Sequence, residues 1–137
     1  MAEGTGTSAS GHRRRDFVRY LTSFPEEMAL GTEDPGAIVD RYCTPDVEHR
    51  DAGIRLDRGS LVAHARPARK NVLGLRVDVH DALVDGNRVA ARYTLHTAMR
   101  QGYDLSTEVL LFGELAADGR LRRIVSTSRT LTEGTPQ

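Results

Sequence analysis

The order of apolar patterns along the chain predicts an α+β fold in which three N-terminal helices pack on a curved antiparallel sheet. Apolar residues recur every three or four positions in the first half, whereas from Leu75 onward they recur every two. Turn sequences separate the strands of the second half, at Asp85-Gly86-Asn87 and at Ala117-Asp118-Gly119. Helices followed by hairpins favour helices packed on one face of the sheet. We expect this arrangement to form a cone with an internal pocket at its open end.

Length and composition favour a single domain. The chain has 137 residues, enough to bury a core without disulfides or metals. Residues 1–12 are mostly Gly, Ser, Thr and Ala, which bury little apolar surface, so we expect a disordered tail there. We place the single domain at residues 13–131 and expect a loose C-terminal end at residues 132–137.

Charge and cysteine content exclude several classes of protein. The 19 basic residues balance 19 acidic ones, so no overall field attracts nucleic acid or anionic lipid. Cys43 is the only cysteine, which excludes an intramolecular disulfide and favours a reducing compartment; we expect it to be a buried, inert thiol. No apolar run approaches the length of a membrane span or a secretory signal. We therefore expect a cytoplasmic protein that binds neither nucleic acid nor membrane.

The helical half contains three starts and stops. A first helix is predicted from Arg13, and Pro25 should kink it or divide it in two. Asp34-Pro35 predicts the cap and first residue of a second helix, which should end at Thr44-Pro45. Asp57-Arg58-Gly59-Ser60 should cap a third helix that Pro67 stops or bends early. Five apolar residues of the first helix share one stripe: Phe17, Tyr20, Leu21, Phe24 and Met28.

The remaining patterns predict five strands, the first of them short and placed between the second and third helices. The other four follow the third helix and are joined by hairpin turns, of which Asp85-Gly86-Asn87 gives the strongest signal. The predicted strands are Val47 to Asp51, Leu75 to Val84, Arg88 to about Arg100, Leu105 to Leu115, and Arg120 to Leu131.

The end of the first strand carries the best candidates for acid–base chemistry. His49 and Asp51 are two residues apart, so their side chains point to the same face of a strand. If that face lines an apolar cavity, the pKa of the carboxyl group rises and the pair can transfer protons near neutral pH. The alternative is an exposed strand end at which Asp51 hydrogen-bonds the backbone of its own turn.

Glu108 is a second candidate catalytic carboxylate, because it lies in an otherwise apolar strand. An ion pair with Arg92 or Arg129 on a neighbouring strand is the alternative explanation. Tyr93 should point inward and His96 outward by strand parity. An inward phenol could donate a hydrogen bond to a developing oxyanion, or it could simply form part of the pocket wall.

Several chemistries lack a sequence signal. The chain has no phosphate-binding loop, no Cys-x-x-Cys, no His-Glu-x-x-His and no glycine pattern of a nucleophile elbow. Its histidines are scattered rather than spaced as metal ligands. We therefore expect neither a metal nor a cofactor.

The turn phrases occur in an order that resembles the SnoaL-like branch of the nuclear transport factor two-like superfamily, from about Arg13 to Leu131. This branch includes polyketide cyclases, ketosteroid isomerases and limonene epoxide hydrolases. The matching phrases are Thr44 to Gly53, Arg58-Gly59, Leu75 to Val79, Asp85 to Tyr93, and Asp118 to Leu121.

The resemblance implies roles for several residues. Asp51 matches the general base of the isomerases, and Tyr20 is nearest to the tyrosine on their first helix. Counting back from Asp118-Gly119, the second acid of the isomerases falls on Leu111 rather than on Glu108. We accordingly take Asp51, His49 and Glu108 as candidate catalytic residues. The candidate substrate-binding residues are Tyr20, Tyr93 and Leu111.

The resemblance also implies a function and an assembly. The first hypothesis is a cofactor-independent enzyme that cyclises or isomerises a small hydrophobic oxygenated substrate of the polyketide type. The second is a non-catalytic module that binds a small ligand or dimerises. Epoxide opening would require a carboxylate–Arg–carboxylate relay that the sequence does not reveal. Relatives pair through the sheet, which implies a homodimer across the face that carries Arg92, Thr94 and His96.

Overall fold

The computed structural model describes the backbone of residues 2–134 and the side chains of residues 11–131. Its helices are α1 (Ala2–Leu30), α2 (Pro35–Tyr42) and α3 (Arg58–Asn71). Its strands are β1 (Cys43–Asp51), β2 (Ile54–Leu56), β3 (Val72–Asp85), β4 (Arg88–Met99), β5 (Asp104–Leu115) and β6 (Leu121–Gly134). The predicted α+β fold, with three helices packed on a curved and mostly antiparallel sheet, is confirmed.

The six strands form one sheet in the order β2-β1-β6-β5-β4-β3. All neighbouring strands are antiparallel except β1 and β6, which run parallel because most of the domain lies between them in the chain. This parallel pairing brings the end of β1 beside the middle of β6. The candidate residues on β1 therefore gain neighbours that are distant in sequence.

The helices cover one face of this sheet, which we call the inner face, and the core lies between the two layers. Helix α1 packs against both β3 and α3. The stripe predicted on the first helix contributes Phe17 and Leu21, which are almost completely buried. On the sheet side of the core, Leu121 and Ile124 of β6 are also almost completely buried. This shared core holds the helices over the inner face.

Neither Pro25 nor Pro67 ends its helix, so a first helix divided in two and a third helix stopped at Pro67 are wrong. Pro25 lies within α1, where the buried stripe continues to Met28, so packing outweighs the lost backbone hydrogen bond. Pro67 lies within α3 on an exposed position. The carbonyl of Ala63, which loses its helical partner there, is on an exposed residue and can bind water.

The ends of the chain also differ from the prediction. Helix α1 begins at Ala2 rather than at Arg13, because a helix that has formed extends at low cost where no proline interrupts it. Strand β6 continues to Gly134, which pairs with Asp104 of β5. Residue 1 of the predicted tail and residues 135–137 of the predicted loose end lie outside the described residues. The domain limits at residues 13 and 131 stay a prediction.

The predicted helix caps are present. The side chain of Asp34 accepts a hydrogen bond from the backbone N–H of Ala37 at 3.1 Å, at the start of α2. The side chain of Asp57 accepts one from the backbone N–H of Ser60 at 2.9 Å, at the start of α3. Each bond satisfies a backbone donor that the helix itself leaves free.

Cys43 begins β1 rather than ending α2, because α2 stops at Tyr42, before Thr44-Pro45. Its side chain is completely buried, and this burial raises the pKa of the thiol to about 12. The thiol is therefore protonated at neutral pH and unreactive. Across the described residues, the helices are too short or too polar to cross a membrane.

Candidate active site

The candidate site begins at the hairpin between β1 and β2. Asp51 pairs with Ile54 across a two-residue turn formed by Ala52 and Gly53. Both turn residues have positive φ, 51° for Ala52 and 84° for Gly53, as a type I′ turn requires. The turn matches the twist of the flanking strands and directs the end of β1, with Asp51, towards β6.

A chain of hydrogen bonds joins His49, Ser126 and Asp51 on the inner face. The hydroxyl of Ser126 donates to Oδ1 of Asp51 at 3.1 Å. Nε2 of His49 lies 2.8 Å from the same hydroxyl oxygen. Because a hydroxyl has only one proton to donate, the imidazole Nε2–H must be the donor to Ser126. The imidazole therefore holds the hydroxyl of Ser126 in the position from which it hydrogen-bonds Asp51.

Burial keeps the imidazole of this chain neutral by lowering its pKa. Desolvation lowers the pKa of His49, and the charge of Asp51 raises it in part, while His64 lowers it further. His49 is thus neutral at pH 7. His64 is exposed on α3, so this edge of the site opens to solvent between α3 and the β1–β2 hairpin.

Two buried phenols lie close to this polar chain. Burial raises the pKa of Tyr93, and the negative charge of Asp51 adds to the effect. Burial also raises the pKa of Tyr20, with smaller contributions from Cys43 and Tyr93. Both phenols are therefore protonated at neutral pH and able to donate a hydrogen bond. Tyr93 thus lies in the electrostatic environment of Asp51, and Tyr20 lies in that of Tyr93.

Leu111 forms the apolar side of the site. The sheet register places Asp51, Ser126, Leu111 and Ala91 side by side on four neighbouring strands. Leu111 and Ala91 are buried in the core, whereas Asp51 is half-buried at the edge of the same row. A carboxylate, a hydroxyl and an aliphatic wall therefore follow one another across the inner face.

A cavity of about 210 Å³ lies farther along the cone, between α1, the end of α2 and the β5–β6 turn. Its floor is formed by aromatic rings that include Phe17, Tyr20 and Tyr42. Asp51 and His49 are not among its lining residues. Tyr20 connects the two regions, because it lines this cavity and also interacts with Tyr93.

Glu108 lies on the outer face of the sheet, away from Asp51. Val109 and Leu111 of β5 point into the core, so strand parity sends Glu108 to the other side. Its carboxylate accepts a hydrogen bond from Arg129 at 3.0 Å and lies 3.5 Å from Arg92. These arginines, Arg129 first, lower the pKa of Glu108. The ion-pair alternative describes this residue, and the candidate site does not include it.

The structure adds two residues that the sequence reasoning did not select, Ser126 and His64. Ser126 had a usable signal, since it shares strand parity with the apolar Ile124 and is therefore expected to point inward. A serine in that position needs a hydrogen-bond partner. His64 had no such signal, because a helix of uncertain rotation can present it to either side. Among the described side chains, no group of three or more His, Cys, Asp or Glu could hold a metal ion.

Comparison with known families decides the identity of the fold. The model of the SnoaL-like domain matches residues 21–124, well over half of the chain. The chain belongs to the SnoaL-like family. This confirms the predicted resemblance to SnoaL-like proteins. A search of curated protein sequences finds no match to this SnoaL-like chain.

Solved structures share the architecture of this SnoaL-like protein. AclR of Streptomyces galilaeus, proposed to be a hydroxylase, aligns with a TM-score of 0.68 at 15% identity, covering 88% of this chain and 80% of AclR. An LEH-like epoxide hydrolase of M. tuberculosis aligns with a TM-score of 0.66 at 17% identity, covering 88% and 85%. IdmH of Streptomyces antibioticus, proposed to be a polyketide cyclase, aligns with a TM-score of 0.65 at 14% identity, covering 85% and 91%. At these identities the likeness shows the fold, which serves several chemistries.

Proposed function

We propose that this protein is a cofactor-independent acid–base enzyme that cyclises or isomerises a small hydrophobic oxygenated substrate of the polyketide type. The observation that carries the proposal is the hydrogen-bonded chain from His49 through Ser126 to Asp51. A half-buried carboxylate that a fixed hydroxyl and imidazole hold in place can act as a general base. The solved structures named above include an epoxide hydrolase and a protein proposed to be a polyketide cyclase, so the SnoaL-like fold is one on which enzymes are built.

In the proposed reaction Asp51 removes a proton from the carbon beside a carbonyl group. Ser126 already donates to Oδ1 of Asp51, and no other described side chain hydrogen-bonds the second oxygen, Oδ2. That oxygen is therefore the one that faces the substrate. In an isomerisation the proton returns at a different carbon. In a cyclisation the enolate carbon adds to a second carbonyl of the substrate, whose π bond breaks, and Asp51 returns the proton to the resulting alkoxide. No atoms beyond those of the substrate are needed.

The enolate oxygen requires hydrogen-bond donors that keep their protons. The phenols of Tyr93 and Tyr20 satisfy this condition, because burial raises the pKa of each. Donors held in a low-dielectric site stabilise a developing oxyanion more than water does. Leu111 supplies an apolar wall that orients a flexible substrate, and orientation alone can supply several kcal/mol.

Two matched carboxylate variants test this proposal. Asp51→Asn should slow deuterium exchange at the carbon beside the carbonyl of an apolar cyclic ketone by about 100-fold or more, because the general base is lost. Glu108→Gln removes a carboxylate from the outer face and should leave the exchange rate unchanged. Exchange followed by NMR needs no knowledge of the natural product. Equal rates for wild type and Asp51→Asn would contradict a catalytic role for Asp51.

The second candidate function is a non-catalytic module that binds a small ligand, and the separate cavity beneath Tyr20 favours it. A binding module would retain an apolar ketone with unchanged affinity in wild type and Asp51→Asn. It would show no exchange above the buffer rate in either protein. Calorimetric titration of the same cyclic ketone, together with the exchange assay, separates the two functions.

We also propose that the protein forms a homodimer through the outer face of its sheet. Four cross-strand neighbours form an apolar row on that face: Leu83, Ala90, Phe112 and Val125. Phe112 is 67% exposed, Leu83 66% and Val125 51%, which is unusual for a row of large apolar residues. The next row alternates in charge, through Asp85, Arg88, Glu114 and Arg123.

A two-fold axis over the apolar row would bring the same surface of two copies together. The three residues that the resemblance implied for this interface lie on the same face, farther along β4 from the apolar row. Arg92 is exposed, Thr94 is buried beneath His80, and His96 is half-buried. The apolar row, rather than these polar residues, therefore supplies the buried area of the proposed interface. Light scattering at micromolar concentration should give the mass of two chains.

A further inference from the structure

Three polar residues on neighbouring strands form a hydrogen-bonded cluster on the outer face, far from Asp51. Nε2 of His96 lies 2.8 Å from Oδ2 of Asp78, and Nδ1 of His96 lies 3.1 Å from Oγ of Ser106. Asp78 belongs to β3, His96 to β4 and Ser106 to β5. The cluster therefore spans three strands of the sheet.

The register explains why these side chains meet. His96 stands directly between Arg76 of β3 and Ser106 of β5 in one cross-strand row. Asp78 is two residues beyond Arg76, so it points to the same face and reaches His96 on the diagonal. The arrangement is set by regular strands rather than by a loop, and regular strands hold side chains firmly in place.

The hydrogen bonds define one protonation pattern for the imidazole. A carboxylate only accepts, so Nε2–H of His96 donates to Asp78. In the neutral imidazole Nδ1 is then an acceptor, and the hydroxyl of Ser106 donates to it. This is the relation of nucleophile, base and orienting acid found in Ser-His-Asp triads, with the roles of the two ring nitrogens exchanged.

The cluster opens into a recess of about 430 Å³ on the sheet surface. His96 and Ser106 line the recess beside Gly74, Ala98 and Asp104, and Arg76 stands at its side. The guanidinium of Arg76 lies 3.5 Å from Asp78 and is largely exposed, so it can turn towards a negative oxygen. Nucleophile, base, cation and space for an acyl group thus occur together.

We propose that Ser106, His96 and Asp78 form a second catalytic site, which hydrolyses esters of short acyl groups. Oγ of Ser106 attacks the carbonyl carbon while His96 takes the hydroxyl proton, and Arg76 faces the resulting oxyanion. The ester C–O bond then breaks, and His96 passes the proton to the departing alcohol. A water molecule, deprotonated by His96, cleaves the acyl-serine, releases the carboxylic acid and restores the hydroxyl of Ser106.

This site is separate from the proposed acid–base site and from the proposed dimer interface. Its residues point away from the inner face that holds Asp51. Along β5, Ser106 is six residues from Phe112, or roughly 20 Å at the rise of a strand. The ester-cleaving proposal therefore stands or fails independently of either.

Covalent labelling provides the most direct test. An alkyl fluorophosphonate should react with the full-length protein, lose fluoride and add one phosphonyl group, which peptide mass spectrometry should locate on Ser106. Ser106→Ala should abolish the label and lower the rate of p-nitrophenyl acetate hydrolysis by about 100-fold, as should His96→Ala. Ser128→Ala removes an exposed serine of β6 outside the cluster and should behave as wild type.

The outcomes are distinct. Labelling of Ser106 together with loss of ester cleavage in Ser106→Ala supports the site, provided that circular dichroism shows the variant folded. Asp78→Asn should keep the fold but reverse the imidazole orientation, shifting the pH profile of ester cleavage. Unlabelled Ser106, a label on another residue, or equal hydrolysis by wild type and Ser106→Ala would overturn the proposal.

Discussion

Single residues of this sheet acquire opposite properties through strand parity alone. Asp51 and Glu108 are both carboxylates on strands, yet one faces the helices and the other faces outward. Asp51 meets a hydroxyl and, through it, an imidazole on the inner face. Glu108 meets two arginines, which hold it ionised. The arginines stabilise the charged form of Glu108, whereas the neighbours of Asp51 in the chain are neutral.

Removing the hydroxyl of Ser126, which lies between His49 and Asp51, should show whether it supports the proposed base. Ser126→Ala deletes both hydrogen bonds of the chain, and a bond to a charged group contributes about 1.5 to 3 kcal/mol. We expect deuterium exchange at the carbon beside the carbonyl of the cyclic ketone to slow by about 10- to 100-fold, while the fold is retained. Ser128→Ala, an exposed serine on the same strand, is the control. A rate unaffected by Ser126→Ala would mean that the base acts alone.

The imidazole of His49 should also affect stability in acid. Burial lowers the pKa of His49 below its usual value of 6.5, so the unfolded chain binds more protons than the folded one as the pH falls below that value. The free energy of unfolding should therefore decrease with falling pH, and His49→Gln should reduce this dependence. Urea unfolding at pH 5 and pH 7.5 measures it. His12→Gln, an exposed position on α1, should keep the dependence of the wild type.

Among the elements, the β1–β2 hairpin has the clearest effect on the site. Its two-residue turn sets the end of β1, and the backbone N–H of Ala52 continues the pairing by donating to the carbonyl of Ser126 at 2.9 Å. Ala52 adopts φ of 51°, a left-handed conformation that costs an alanine energy. The conformation of Ala52 thus lowers the free energy of unfolding, at a position next to the proposed base.

Relieving this turn should stabilise the protein. Ala52→Asn places Asn-Gly, the preferred pair for a type I′ turn, between β1 and β2. We expect the free energy of unfolding in urea to rise by about 0.5 to 1 kcal/mol. The matched control is Ala63→Asn, the same change at an exposed position of α3, which should lower stability because asparagine is a weaker helix former. A loss of stability in Ala52→Asn would refute the strained-turn explanation.

At the scale of the whole molecule, the two faces of the sheet divide the proposed functions. The inner face, covered by helices, holds the hydrogen-bonded chain from His49 to Asp51 and the two phenols. The outer face presents an apolar row at one end and the Ser106 cluster towards the other. An exposed row of this kind is stabilised when a second copy covers it.

A single charge should disrupt the proposed dimer. Phe112→Arg places a cation in the middle of the apolar row, where the opposing copy would bury it at a cost of several kcal/mol. Light scattering coupled to size exclusion should show the mass of one chain for this variant and of two for the wild type. Ile54→Arg changes an equally exposed residue of β2, outside the row, and should remain dimeric. A monomeric wild type at micromolar concentration would refute the interface.

Local patterns account for most of what could be predicted about the fold. The two helix caps, the hairpin at Asp85-Gly86-Asn87 and the long strands follow from turn chemistry and side-chain periodicity within a few residues. Pro25 and Pro67 show where local reasoning is insufficient, since packing of a buried stripe and exposure of the freed carbonyl kept both helices intact. Asp51, Tyr20, Tyr93 and Leu111 were selected from the sequence, whereas Ser126 was not.

The amino-acid sequence alone determined most of the helices and strands and, by parity, which side chains can face the helices. Only the tertiary structure decided which of these side chains meet. Ser126 touches Asp51 across 75 positions of chain because β1 and β6 run parallel in the sheet. Periodicity is a property of neighbouring residues, but strand order depends on how all the elements share one core. That packing placed a hydroxyl beside Asp51 and two arginines beside Glu108.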